Sequence, residues 1–349
     1  MNLNKIQFKA AVLFKQKAPL EIISISSNNL KIGQIFIKVF YSGICGSQLG
    51  EIMGVKGEDK YLPHLLGHEG VGEVIRTGDG VKKVKKGDIV LMHWMNSDGI
   101  ESANPSYKYK KLKINAGNLT TFNEFAVVSE NKVTKINKNS NYKKKLLLGC
   151  TASTAIGSLC KLTTLKKNDA IAVSGCGSIG MMILMICKEL KIKNLLAIDI
   201  SKEKLNFIKK KLKINTVNSK IIDIIKYVEK NFENKIDKFF ECSGNTKMIS
   251  DAFECLNKSG KEILIGVPKF KKKASFYTLD INLGKKLIGC KGGDFFPKND
   301  IHIFDKLLNR VKDLEDNFFS DEIELDEINN IFDKMKNNRQ IGKAIIKFR

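Results

Sequence analysis

The rhythm of apolar and polar positions changes near residue 150. Before it, β-branched and aromatic residues gather in short runs at 35–41, 70–75, 89–93 and 124–128, with glycine turns at 78–80 and 86–88. Such side chains fit a half-buried pleated surface, so these runs predict β-strands. After residue 150, the short apolar run 170–174 meets a glycine-rich turn and then a helix-length segment, 179–190. A buried strand at 195–198, an amphipathic helix at 201–212, and strands at 237–242 and 262–267 with a helical stretch between them complete the pattern. Alternation of strand and helix predicts a parallel sheet covered by helices on both faces. The tail departs from it. Segments 301–312 and 325–337 read as helices, the second opened by Asp326, and 344–348 reads as a closing strand. No internal repeat or low-complexity linker interrupts the chain.

Length adds the expectation of two domains, since 349 residues exceed the usual ~100–200 of one domain. No stretch of about 18 apolar residues lacks charges, so a spanning helix is not expected. The most apolar run, 180–186, stops at Cys187-Lys188-Glu189. The first residues, Met1-Asn2-Leu3-Asn4-Lys5, lack the apolar core and cleavage site of a signal peptide. Eight cysteines without tight pairing do not make a disulfide scaffold, so a cytoplasmic protein with reduced thiols is expected.

A net charge of +23 raises nucleic-acid binding. The composition argues against it. Lys outnumbers Arg 56 to 4, and Arg supplies the bidentate forks that read phosphates and base edges. The dense clusters at 143–145, 209–211 and 271–273 are also far apart in sequence. A solvated basic surface is the expectation, with no nucleic-acid or membrane partner.

Gly175-Cys176-Gly177-Ser178-Ile179-Gly180 has the spacing G-x-G-x-x-G, with a buried strand before it and a helix after it. The first glycine permits a tight turn, the second lets backbone approach a pyrophosphate, and the third lets the helix pack on the strand. The helix N-terminus then offers unpaired N–H groups to the anion. Asp199 lies 19 residues beyond Gly180, at the end of the next strand. There a carboxylate accepts both ribose hydroxyls and repels a 2′-phosphate, which favours NAD over NADP. Capping of the helix at Ser201 is the alternative use of Asp199.

Cys45, His68 and Cys150 each stand beside glycine, in Gly43-Ile44-Cys45-Gly46, Gly67-His68-Glu69-Gly70 and Gly149-Cys150. Two thiolates and one imidazole suit zinc, and three protein ligands leave the open position of a catalytic site. Glu69 is placed as an alternate ligand or as a carboxylate behind the ligands. Spacing alone leaves the ordinary reading standing beside this one: cysteine as a small buried hydrophobe, histidine as a satisfied core residue.

Together these segments resemble the zinc-containing medium-chain alcohol dehydrogenase family. Residues 42–47, 63–72, 87–90 and 121–128, Gly149-Cys150, the glycine turn with Asp199, and Gly266-Val267-Pro268 carry the likeness. It implies a Rossmann doubly wound parallel sheet inserted in a GroES-like β-rich catalytic domain, with the active site in the cleft between them. The implied division is 1–151 for the first part of the catalytic domain, 152–291 for the Rossmann domain and 292–349 for the return. Cys45, His68 and Cys150 would ligate zinc, and Ser47 would pass a proton from the alcohol, with Glu69 beside the site. Thr154 and Ile179 would meet the nicotinamide, and Ser178 and Val267 would line the same cofactor cleft. Lys204 would hold the adenosine ribose, Lys343 would sit on the pyrophosphate, and Trp94 would wall the substrate pocket or pack in the core. The implied activity is hydride transfer between an alcohol or carbonyl compound and NAD(H), by a homodimer.

Three departures qualify the resemblance. Residues 95–121 hold none of the four cysteines that carry the family's second, structural zinc, so one zinc per chain is expected. Gln48 replaces the usual Asp that orients the ligand histidine, and its amide oxygen is expected to accept from His68. Gly50 replaces a His that often completes the proton relay. Two alternatives remain: a polyol, sugar-derivative or glutathione-adduct dehydrogenase, with Tyr107 to Lys111 either solvated, the favoured reading, or beside an anionic substrate, and a non-catalytic nucleotide-binding protein that kept the fold.

Overall fold

The computed structural model describes residues 6–233 and 235–349. Among them, strands form three sheets. Gln7–Leu13, Glu21–Ser27, Ser106–Tyr109, Leu112–Asn115 and His64–Leu65 close a small barrel in that spatial order. The second sheet runs Val133–Ile136, Ile89–His93, Glu69–Thr77, Gln34–Gly43, Lys343–Lys347 and Phe319–Ile323, with Phe125–Ser129 also pairing with Gln34–Gly43. Gln34–Gly43 joins barrel and sheet because its side chains alternate faces. Ile35, Ile37 and Val39 enter one core, while Phe36 enters the barrel core with Phe8 and Tyr107 and stacks on Phe125 at 5.2 Å.

The third sheet is parallel throughout, in the order Asn215–Asn218, Asn194–Asp199, Ala170–Ser174, Ile236–Glu241, Leu256–Leu264, Lys286–Gly289. The chain leaves the central strand Ala170–Ser174 in one direction and later returns to its other side. In such sheets ligands bind outside the carboxyl ends of the strands at this switch point. The tail turns back to the second sheet, where Ile345 pairs with Gly43 in antiparallel register.

Helix Thr151–Cys160 is buried along residues 151–159 and joins the two larger sheets. Its close fit depends on glycine: a Cβ at Gly157 would meet the Gly293 carbonyl at 2.2 Å. This helix carries Thr, Ser and Gly and no polar stripe, so an amphipathic period does not reveal it.

Several boundaries differ from the sequence reading. The strand expected at 262–267 is Leu256–Leu264, and residues 265–268 leave the sheet, with the Ile265 and Gly266 N–H groups on the Glu241 carbonyl. The helix expected at 201–212 ends as a helix at Phe207 and widens into a looser turn closed by Lys213 at φ 57°. The tail helices are Pro297–Leu308, the short Leu314–Phe318 and, after the tight turn Leu325–Glu327, Ile328–Lys336. The segment that lacks the four cysteines is rebuilt as the hairpin Ser106–Tyr109 with Leu112–Asn115. There Tyr107 is a core residue whose hydroxyl accepts the Val127 N–H at 2.8 Å, while Lys108, Lys110, Lys111 and Lys113 are exposed.

Candidate active site

Three backbone corners bring the metal candidates together. Cys45 ends the extended run of strand Gln34–Gly43 and precedes helix Gly46–Ile52. His68 precedes strand Glu69–Thr77, behind Gly67 at φ 92°, where a Cβ would strike Thr121 Oγ1 at 2.4 Å. Cys150 opens helix Thr151–Cys160, behind Gly149, where a Cβ would strike the Met92 carbonyl at 2.5 Å. Glycine lets the chain pass at these points and aims the next side chain inward. One ligand atom each from Cys45, His68 and Cys150 lies within 4.8 Å of the others.

The electrostatics suit a cation. The Cys150 thiol, hydrogen-bonded to Cys45, holds Cys45 well below the usual thiol range, and His68 adds to the effect against burial. Cys150 moves the other way, well up, because its neighbour carries the shared charge and burial adds to it. Burial works against the charged form of His68, yet the Cys45 hydrogen bond and charge hold the ring above its ordinary value. His68 Nε2 is buried and has no oxygen or nitrogen partner among the described residues. An imidazole nitrogen with no oxygen or nitrogen partner, facing two sulfurs, is a donor set that fits zinc.

The groups around the cluster are arranged differently from some expectations. Ser47 Oγ lies 3.5 Å from His68 Nδ1. The Gln48 amide oxygen does not accept from His68. It accepts the Cys45 N–H at 2.8 Å, and Gln48 Nε2 lies 2.6 Å from Nδ1. Glu69 is fully buried and outside the ligand cluster, with its carboxylate bound by the Lys343 ammonium and by the Thr151 hydroxyl at 3.4 Å. Lys343 also donates to Thr151 Oγ1 at 2.9 Å and is itself fully buried. Its ammonium is therefore committed to Glu69 rather than free for a pyrophosphate. The buried carboxylate, a requirement no local pattern reveals, draws it inward. Trp94 stands beside the cluster, its backbone N–H directed to the Gly149 carbonyl at 3.4 Å and its ring against Gly292; its indole N–H is buried without a partner among the described residues.

The glycine turn lies at the switch point of the parallel sheet. Gly175 takes φ 79°, and a Cβ there would meet the Ser243 nitrogen at 2.7 Å. A Cβ on Gly180 would meet the Gly175 carbonyl at 2.2 Å, which ties the helix to the strand. Gly177 has nothing within 4 Å of its Cβ position, so space for a bulky anion lies open before helix Ser178–Glu189. Asp199 ends its strand and holds the turn, accepting from Cys176 N–H at 2.7 Å and Ser201 N–H at 2.8 Å. Both of its oxygens keep a lone pair for another donor. Lys204 is in the first turn of helix Lys202–Phe207, Val267 is exposed, and Thr154 and Ile179 sit on the two helices beside the turn. Ser178 Oγ donates to the Gly342 carbonyl at 2.7 Å. Since Lys343 follows Gly342 and reaches Glu69, this contact ties the turn to the metal cluster.

Glu241 is a supporting residue absent from the sequence reading. Its buried carboxylate accepts the Ser243 and Gly244 N–H groups at 2.8 and 3.0 Å and the Ser174 hydroxyl at 3.2 Å. It thus fixes the loop packed beneath Gly175. The signal in sequence is slight: an acid that directly follows the apolar pair Phe239-Phe240 at the end of strand Ile236–Glu241.

Residues 31–138 match the family described as "Alcohol dehydrogenase GroES-like domain", and residues 178–312 match "Zinc-binding dehydrogenase". The chain belongs to the zinc-containing medium-chain dehydrogenase family. This dehydrogenase is 27% identical, over 97% of its length and 99% of the other's, to an S-(hydroxymethyl)glutathione dehydrogenase of Escherichia coli. It is 27% identical to "Alcohol dehydrogenase-like 3" of Arabidopsis thaliana, over 96% of this chain and 95% of that one. Among solved structures, benzyl alcohol dehydrogenase from Acinetobacter calcoaceticus superposes with a TM-score of 0.83 at 22% identity, covering 99% of this chain and 100% of that one. A 2R,3R-butanediol dehydrogenase from Bacillus subtilis gives 0.76 at 23%, covering 98% and 100%. These structural likenesses establish the fold of the dehydrogenase, a GroES-like part with a Rossmann-type part.

Proposed function

We propose that this zinc-dependent oxidoreductase transfers hydride between a small alcohol, or the matching aldehyde or ketone, and NAD(H). The observation that carries the reading is the meeting of Cys45, His68 and Cys150 two hydrogen bonds, Ser178–Gly342 and Lys343–Glu69, away from an open dinucleotide turn. A non-catalytic nucleotide binder has no use for that buried thiol–imidazole cluster. The lysines of 108–113 face solvent on the barrel hairpin, which leaves an anionic substrate without their support.

Cys45, His68 and Cys150 would hold the metal. When bound, zinc would supply Lewis acidity to a hydroxyl or carbonyl oxygen, and a nicotinamide cofactor would supply the hydride chemistry. Ser47 Oγ accepts the hydroxyl proton by hydrogen bond and releases it to water, because Gly50 offers no side chain to receive it. Thr154, Ile179 and Val267 orient the nicotinamide, and Trp94 walls the substrate side. Gly175, Gly177, Ser178 and Gly180 present the helix N-terminus to the pyrophosphate. Asp199 and Lys204 hold the adenosine ribose, and the charge of Asp199 selects NAD against NADP. Glu69 and Lys343 hold Thr151, and with it the start of the helix bearing Cys150, in place.

One zinc per chain is part of the proposal, because residues 95–121 lack cysteine. So is the division at 151/152 and 291/292. A homodimer is proposed on the unpaired edge strand Lys286–Gly289, beside which Tyr277, Leu279, Ile281 and Leu283 are exposed. The eight free thiols favour a reducing cytoplasm. The test is a screen of zinc-loaded protein against short alcohols, aldehydes and polyols, followed by NADH absorbance, beside Cys45→Ser. The variant is expected to lose most zinc and most turnover. Full turnover in metal-free Cys45→Ser protein would contradict the proposal.

A further inference from the structure

The geometry points to Gln48 as a positioning residue that holds His68 in the tautomer unable to ligate, so that the proposed zinc site grips its metal weakly. This rests on the metal-centre reading above and concerns how that centre is tuned.

A primary amide presents one acceptor and one donor end. Here the backbone fixes which end faces where. Gln48 Oε1 accepts the N–H of Cys45, the residue before the helix, at 2.8 Å. That leaves the NH2 group facing His68 Nδ1 at 2.6 Å, and an NH2 can only donate. Nδ1 must then be the acceptor. A neutral imidazole has one N–H, so its proton is placed on Nε2.

With Nδ1 facing Gln48, Nε2 is the nitrogen left for the sulfurs of Cys45 and Cys150, and it is buried without an oxygen or nitrogen partner. A proton there occupies the lone pair a metal needs. For zinc to enter, the ring must carry its proton on Nδ1 instead, where it meets the NH2 of Gln48, donor against donor. Turning the amide over cures that clash but sets the same NH2 against the Cys45 N–H. Either way one buried hydrogen bond is lost when metal binds. Ser47 Oγ, at 3.5 Å, is the nearest alternative acceptor and only a marginal one.

Gln48→Glu tests this at constant length. A carboxylate has two acceptor oxygens, one for the Cys45 N–H and one for Nδ1–H, so the conflict disappears. Partners of this kind typically change metal affinity by about 10–100-fold. The readout is the zinc dissociation constant, measured by chelator competition. A Gln48→Glu protein that binds zinc at least about tenfold more tightly supports the inference. Equal or weaker binding by a folded variant overturns it. A second measurement uses the unaltered chain: 15N NMR of the metal-free protein at alkaline pH, where the ring is neutral. The His68 proton is expected on Nε2, and finding it on Nδ1 overturns the inference without any substitution. Failure of both proteins to bind zinc would instead overturn the metal centre itself.

Discussion

Glu262 should make the protein lose stability as pH rises, and replacing it with Met should remove that loss. The residue is fully buried in strand Leu256–Leu264, paired with Phe239 on one side and Leu287 on the other. Both carboxylate oxygens lack hydrogen-bond partners among the described residues. Burial pushes its pKa up to about 9, and the nearby charge of Glu241 adds to the shift. In the unfolded chain the same group ionises near 4.3. Between those values the folded protein holds a proton that the unfolded chain releases, so stability falls with rising pH by up to about 1.4 kcal/mol per unit. At pH 7 the accumulated loss is about 3 to 4 kcal/mol, fully absent only below the unfolded value. Met keeps the unbranched length and carries no charge. Urea unfolding of both proteins at several pH values between 6 and 8 is the assay. The advantage of Glu262→Met is expected to widen by about 1 to 1.5 kcal/mol per pH unit. Parallel stability profiles, or a variant less stable throughout, would refute the reasoning.

Lys343→Met should leave Glu69 as an unpaired buried charge and cost about 3–5 kcal/mol, while Lys343→Met with Glu69→Gln should recover much of it; thermal melts of both variants check this. Asp199→Gly should lower kcat/KM for NAD by about 10–100-fold, the scale of lost charged hydrogen bonds, and raise the relative use of NADP in steady-state assays. The two glycines of the turn should separate. Gly180→Ala should cost about 1–3 kcal/mol in denaturant unfolding by overpacking against Gly175. Gly177→Ala should leave stability nearly unchanged and raise KM for NAD, because its Cβ enters only the open cradle.

Much of this was legible from short stretches of sequence. The glycine turn is a local device whose strand, turn, helix and acid lie within about 30 residues, so its pattern survives reading in one dimension. Cys45, His68 and Cys150 each carry a glycine neighbour, and two of those glycines prove necessary for the chain to pass. What stayed hidden depends on partners remote in sequence. Lys343 reads as a free cation until the fold sets it against Glu69, 274 residues away. The orientation of the Gln48 amide follows from a backbone N–H, which no residue type advertises. Strand Glu21–Ser27 is rich in serine, and Phe319–Ile323 in acids, so neither has the apolar signature of its neighbours. They form strands because the barrel and the second sheet supply partners, which is tertiary context overriding propensity.

The most direct test of the central claim is to load the metal-free protein with cobalt(II) and record its absorption spectrum. The account predicts one equivalent bound, with intense tetrahedral bands and sulfur-to-metal charge transfer that weaken in Cys45→Ser. A pale six-coordinate spectrum, or one unchanged by that substitution, would contradict it.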